Sequence, residues 1–260
     1  MTLAILSALP EEQHGLSHAL TERQEVHRAG RRFVQGRLHN VGVVLALSGI
    51  GKVAAATTTT TLIEHFGIEK LVFTGVAGGL GSNVQVGDVV VAQHFVQHDM
   101  DVRPLFPRWQ VPGYPQPTFH CHTALTERLH QAALRCTQAA VQWNEPLLQG
   151  HAPAVHKGLI ASGDQFIVSA SLSKAIHSDF QAAGLHALAV EMEGAAIAQV
   201  CADYSIDFAA VRTISDRADD AAHVDFPAFV NAVASRYALH IIEQFVASEA
   251  RLDWLNCLFE

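Results

Sequence analysis

Carboxylates fall at the ends of three strand-like runs in this sequence. Glu11 and Glu12 follow the apolar run 2–8, Glu191 and Glu193 follow the run 185–190, and Asp216 follows 211–215. In α/β proteins, ligands gather at the carboxyl ends of strands. Each acid taken alone also suits the first turn of a helix, where the macrodipole favours negative charge. Three such places in one chain are harder to assign to helix starts alone. Paired carboxylates in different surroundings can divide general-acid from general-base work. Breaking a glycosidic bond is one reaction that uses this division, one group assisting departure and another activating water.

Two glycine-rich stretches accompany these acids. Gly75-Val76-Ala77-Gly78-Gly79-Leu80-Gly81 has its glycines at the wrong offsets for a dinucleotide fingerprint. Ser48-Gly49-Ile50-Gly51-Lys52-Val53 resembles the tail of a phosphate-binding loop, but Ala46 stands where a glycine is needed and Val53 where a hydroxyl is needed. Both read as turns at strand ends, where backbone can approach a ligand closely.

The elements that must position these groups follow from periodicity. Residues 2–8 read as a buried strand, and Pro10 opens a helix. Residues 31–37 and 41–47 form two strands joined by a turn, which makes the sheet mixed. A helix runs from Lys52 to Phe66 despite five consecutive threonines, so tertiary packing must hold it. Further strands are expected at 70–74, 88–92, 155–160, 185–190 and 208–214, with helices at 123–141, 170–182, from 195 onward, and at 227–247. Residues 103–118 are rich in proline and aromatics, too apolar for an ordinary loop, and read as a lid or partner surface. Alternating strands and helices imply one three-layer α/β domain, a central mixed β-sheet flanked by helices, over residues 1–247, with 248–260 as a C-terminal extension.

Composition narrows the possible functions. The 260 residues are 49% hydrophobic and 16% charged, with a net charge of −8, which argues against nucleic-acid binding. No run is long and apolar enough to span a membrane, and no secretory leader is evident, so a cytoplasmic protein is expected. Four scattered cysteines (121, 136, 201 and 257) suit free thiols in a reducing compartment. His120-Cys121-His122 lacks a second ligand pair at zinc-like spacing, so no metal is expected. No cofactor is expected either.

The motifs also occur in a telling order. Ala8-Leu9-Pro10-Glu11-Glu12, Ser48-Gly49-Ile50-Gly51-Lys52, Thr74-Gly75-Val76-Ala77-Gly78-Gly79, Gly87-Asp88-Val89, His98-Asp99-Met100-Asp101, Ser162-Gly163-Asp164-Gln165-Phe166-Ile167, Val190-Glu191-Met192-Glu193-Gly194 and Arg212-Thr213-Ile214-Ser215-Asp216 follow one another along the chain. Together they resemble the nucleoside phosphorylase/nucleosidase superfamily, in particular its branch acting on 5′-methylthioadenosine and S-adenosylhomocysteine. The resemblance implies a catalytic pair, with Asp216 protonating N7 of adenine and Glu12 activating water. It implies substrate binding by Met192 and Glu193 at the ribose, backbone of Phe166 and Ile167 at the adenine edge, Ala77 and Gly78 below the base, and Phe226 around the ribose and 5′ group. Ile50 and Ser215 complete the substrate-binding set. It also implies a homodimer whose partner loop closes the 5′ pocket.

Phosphorylases of the superfamily place glycine and arginine after the first strand to hold phosphate. Here Pro10-Glu11-Glu12 stands there, and its carboxylates would repel a phosphate dianion. Hydrolysis is therefore expected. A phosphate-dependent phosphorylase, an aminofutalosine-type hydrolase and a non-catalytic nucleoside sensor are the alternatives. His98, Asp99 and Asp101 read as architectural. The longer aromatic stretch 103–112 bears on which 5′ substituent is preferred, with Trp109 expected to influence it.

Overall fold

The computed structural model describes residues 2–81, 83–143, 148 and 152–256; the side chains of 224, 225 and 252–256 are not among those described. The strands are β1 (Thr2–Ser7), β2 (Thr21–Arg28), β3 (Arg31–Leu38), β4 (Val41–Leu47), β5 (Lys70–Gly79), β6 (Val89–Gln97), β7 (Thr118–His120), β8 (Val155–Ser162), β9 (Ala187–Glu191) and β10 (Asp207–Asp216). The helices are α1 (His14–Ala19), α2 (Lys52–Phe66), α3 (Thr123–Ala140), α4 (Ala170–Ala182), α5 (Gly194–Asp203), α6 (Ala222–Phe229) and α7 (Ser235–Asn256).

All ten strands join one mixed sheet in the order β10-β6-β8-β9-β5-β1-β4-β3-β2, with β7 beside β6. β10 also pairs in parallel with β5, so half of the sheet curls round and closes on itself. β1 and β10 lie on either side of β5, which brings their carboxyl ends together. Leu3, Ala4, Ile5 and Leu6 are all fully buried, as a strand covered on both faces demands. One face packs on Leu16 of α1, Leu125 and Leu129 of α3, and Ile241 and Phe245 of α7. The other packs on Ala55 and Leu62 of α2 and Ala195 and Ile197 of α5. The domain is the expected three-layer α/β sandwich.

The threonine run of α2 is accommodated locally. Thr57, Thr58, Thr59 and Thr61 each donate a hydroxyl to the carbonyl four residues earlier, and Thr58 and Thr59 are fully buried.

Four expectations need correction. Residues 75–79 are not a turn: β5 runs through them, Gly75 to Gly78 pairing with β10 and Gly78–Gly79 with β9. The absent side chains let the strand pass close to its neighbours. β2 was not expected, because Thr-Glu-Arg-Gln-Glu-Val-His-Arg is polar on both faces; it is an exposed edge strand, where charge discourages further pairing. Pro10 opens a single 3₁₀ turn, Pro10–Glu12, before the short α1. The long helix expected at 227–247 is α6, with Pro227 inside it, then a π turn (Val230–Ala234), then α7. Proline cannot donate the helical hydrogen bond, and the ladder is rearranged just beyond it.

α7 continues without interruption past Ala247 to Asn256. Within that continuation Glu249 is 1% exposed, and it accepts from Lys70 Nζ at 2.9 Å and is ion-paired with Arg128. In the C-terminal extension, the side chains of 252–256 and residues 257–260, Cys257 among them, lie outside the described residues. No helix among the described residues is long and apolar enough to cross a membrane. Cys121, Cys136 and Cys201 are free and buried.

Candidate active site

A cavity of about 310 Å³ opens where β1, β5, β9 and β10 end. Its lining includes Glu12, Ile50, Ala77, Gly78, Phe166, Met192, Glu193, Ser215, Asp216 and Phe226. Ile167 lines a small adjoining recess with Phe166, Gly78 and Asp216. Positions 12, 193 and 216, far apart in the chain, therefore face one space.

Glu12 is 2% exposed, because the 3₁₀ turn folds it back over the end of β1. Its Oε2 accepts from the backbone N–H groups of Ala8 at 2.8 Å and Leu9 at 2.9 Å, and its Oε1 from Val76 at 2.9 Å. Burial pushes its pKa up, against the opposing pull of the Arg212 charge and these backbone donors. A carboxylate fixed so firmly, with a raised pKa, suits a base that takes a proton from water.

Asp216 is the last residue of β10, after a bulge between Ile214 and Asp216. Such a bulge re-aims the side chain that follows it. Asp216 Oδ2 accepts from the Ser215 hydroxyl at 2.8 Å, and Oδ1 from the Ala218 N–H at 2.8 Å. Gly78 lies opposite, and a methyl group there would come within 3.0 Å of Asp216 Oδ1.

Glu191 and Glu193 divide between structure and site. Glu191 ends β9 and accepts from the N–H groups of Glu193 at 3.1 Å and Gly194 at 2.9 Å, capping the start of α5. The Ser162 hydroxyl also donates to Glu191 while accepting from Ala195 N at 2.7 Å. Glu193 accepts from Gly51 N at 2.7 Å. Burial and then the neighbouring Glu191 raise its pKa to about 8, with Arg212 acting in the opposite direction.

Arg212 is the residue that the spacing argument did not count. It reaches the site from within β10. It is fully buried, donates to Glu191 Oε2 at 2.5 Å, lies 3.5 Å from Glu193 Oε2, and rests 3.5 Å above the Phe73 ring. Gly75 makes room for it: a β-carbon there would lie 2.3 Å from Arg212 Nη1 and 2.4 Å from Glu12 Oε1. A lone arginine inside an otherwise apolar strand run was the available signal, since a buried charge requires partners.

The mouth is apolar. Phe166 and Phe226 meet at 5.3 Å between ring centroids, and Ile50 stands 60% exposed beside them. Residues 103–118 do not line this cavity. Trp109 instead is buried against Phe180 and donates Nε1–H to the His98 carbonyl at 3.1 Å, so within its own chain it packs rather than meets a ligand. His122 caps α3, and among the described residues no group of three or more His, Cys, Asp and Glu is arranged for a metal ion.

Residues 2–247 match the phosphorylase superfamily. The chain belongs to that superfamily. Among its relatives, the 5′-methylthioadenosine/S-adenosylhomocysteine nucleosidase of Bacillus thuringiensis is 36% identical over 94% of this chain and 99% of its own. The Neisseria meningitidis nucleosidase of the same name, solved with methylthio-immucillin-A, superposes with a TM-score of 0.82 at 34% identity, covering 95% of this chain and 99% of that one. Futalosine hydrolase of Helicobacter pylori superposes with a TM-score of 0.80 at 32% identity, covering 94% and 97%.

In this superfamily member the buried Glu193 has a measurable consequence for stability. Its folded pKa of about 8 stands above the ordinary 4.5. The folded protein therefore holds a proton that the unfolded chain releases, and stability is lost as pH rises from about 4.5 through about 8. Glu193→Gln removes that loss. It is expected to gain about 1–3 kcal/mol over the parent at pH 9 and little at pH 5, read from denaturant midpoints. An equal difference at both pH values would refute the assignment.

Proposed function

We propose that the protein hydrolyses the N-glycosidic bond of 5′-methylthioadenosine and S-adenosylhomocysteine, releasing adenine and the 5-thio-substituted ribose. The observation that carries this reading is the charge of the cavity. Its lining holds Glu12, Glu191, Glu193 and Asp216 and, among the described residues, no lysine, arginine or histidine. Arg212, just behind the lining, faces Glu191 and Glu193. Such a site disfavours a phosphate dianion and favours a sugar that gains positive charge.

In this mechanism Asp216 gives its proton to N7, so that adenine departs as a neutral base. Glu12 takes a proton from the water that attacks the anomeric carbon. Glu193 and Met192 hold the ribose, and ionised Glu193 favours the oxocarbenium character of the transition state. Backbone of Phe166 and Ile167 reads the adenine edge, Ala77, Gly78 and Ser215 form the floor, and Ile50 and Phe226 enclose the sugar and its 5′ group.

The protein acts as a homodimer in this reading. Leu105, 81% exposed, and Val53, 79% exposed, supply apolar surface that a second copy would cover. Three free, buried thiols fit a reducing cytoplasm, and the products fit methionine salvage. A second reading keeps the chemistry and changes the 5′ group, because futalosine hydrolase is also among the structural neighbours.

The test is incubation with methylthioadenosine, adenosylhomocysteine and aminofutalosine, with and without phosphate, with the sugar product identified and the oligomer weighed by sedimentation. Free methylthioribose at a rate independent of phosphate is expected, from a dimer. Release that requires phosphate and yields a sugar phosphate would establish a phosphorylase, and preference for aminofutalosine would establish the second reading.

A further inference from the structure

Three charged residues from the ordered motifs stand outside the cavity lining yet close a ring beside it. Lys52, at the start of α2, donates Nζ–H to Asp99 Oδ1 at 2.6 Å and to Gln97 Oε1 at 3.1 Å. Its backbone N–H donates to Asp164 Oδ1 at 2.8 Å. The Asp164 N–H in turn donates to Asp99 Oδ2 at 2.9 Å. Each residue thus contacts the other two, from three different segments: the first residue of α2, the loop after β6 and the loop after β8.

Two of these segments lead directly to the site, and the third braces them from outside it. Gly51, the residue before Lys52, donates its N–H to Glu193 Oε1 at 2.7 Å. It does so from φ +97°, a conformation that side-chain-bearing residues avoid, and a β-carbon there would lie 3.2 Å from Asp164 Oδ1. Asp164 begins the loop that carries Phe166 and Ile167. Asp99 begins the stretch anchored by the Trp109 N–H on the Met100 carbonyl at 2.9 Å. We propose that Lys52, Asp99 and Asp164 are positioning residues for the glycosidase reaction: their ring holds the Gly51 N–H on Glu193 and sets the base-reading loop relative to the ribose-holding carboxylate.

The ring is half open to solvent, with side-chain exposures of 17% for Lys52, 32% for Asp99 and 50% for Asp164. Ion pairs this exposed contribute little to folding, so the ring's effect lies in geometry. Glu193 faces Glu191 from β9, Arg212 from β10 and Glu12 from the turn after β1, and the Gly51 N–H joins Arg212 in favouring its ionised form. Releasing the ring removes that donor, so Glu193 ionises at a higher pH.

This inference rests on the nucleosidase reading, and the experiment separates the two. Wild type, Lys52→Met, Asp99→Asn and Lys52→Arg are compared by hydrogen exchange of the Gly51 amide, by melting, and by kcat and KM for methylthioadenosine from pH 5 to 9. Lys52→Met is expected to speed Gly51 exchange at least about tenfold and to lower kcat/KM about tenfold at neutral pH. It also moves the acid-side midpoint of kcat/KM upward, with melting nearly unchanged. Asp99→Asn does the same to a smaller degree, and Lys52→Arg restores most of the activity. Unchanged Gly51 exchange in Lys52→Met overturns the inference whether or not the wild type cleaves the substrate. So does a loss of activity that tracks melting without moving the pH midpoint. Failure of the wild type to release adenine, with Gly51 exchange still accelerated by the substitution, rejects the nucleosidase reading and leaves the ring's hold on Gly51 standing.

Discussion

Asp216→Asn is expected to remove adenine release almost completely, lowering kcat by about 10³-fold or more, in a protein that still folds. The substitution keeps the shape of the side chain. Asparagine can still accept from the Ala218 N–H through its carbonyl oxygen, and its amide can face the Ser215 hydroxyl, which accepts as readily as it donates. What it cannot do is hand a full proton to N7. The adenine would then have to depart as an anion, and the barrier rises by about 4 kcal/mol for each thousandfold lost. Steady-state turnover beside a melting curve checks this. A folded variant with near-normal turnover would take Asp216 out of the mechanism.

Glu12→Gln is the second large effect, and it differs in kind. Glu12 accepts three backbone N–H donors with two oxygens, and glutamine offers only one oxygen. At least one of Ala8, Leu9 and Val76 then faces an amide NH₂ instead of an acceptor. The variant is therefore expected to lose about 1–3 kcal/mol of stability as well as about 10²- to 10⁴-fold in turnover. A non-hydrolysable nucleoside analogue should still bind within a few-fold of the parent, because base and ribose are held by other residues. Calorimetric titration against turnover decides the matter: substantial hydrolysis by the variant would show that another group manages the water.

The three acids were legible because they stand where strand patterns stop, and strand ends are where this class of sheet meets ligands. The sheet's composition was legible for the same reason, from runs such as Leu3–Leu6 and Val89–Ala92 that only a doubly covered strand would carry. β2 was not, since a strand that buries nothing leaves no hydrophobic trace. Nor was the passage of β5 through Gly75–Gly79, because glycine marks a need for space without saying whether a turn or a neighbour fills it. Here the neighbour is Arg212, whose partners come from β9 and the segment after it and could not be read from its own strand. The break between α6 and α7 was not legible: Pro227 reads as the start of one long helix, whereas it lies inside α6 and the ladder is rearranged just after it. The pairing of Lys52 with Asp99 and Asp164 depends on three loops meeting, which no local pattern encodes.

The ion pairing of Glu249 sets a practical boundary for anyone shortening this chain. The span shared with the superfamily stops at residue 247, two positions before that carboxylate. A version cut there would keep every residue that lines the cavity, yet it would leave Lys70 and Arg128 without the anion they share. Two like charges would then face each other between β5, α3 and the shortened α7. The last turns of α7, outside the homologous span, thus neutralise charges rooted in the shared fold.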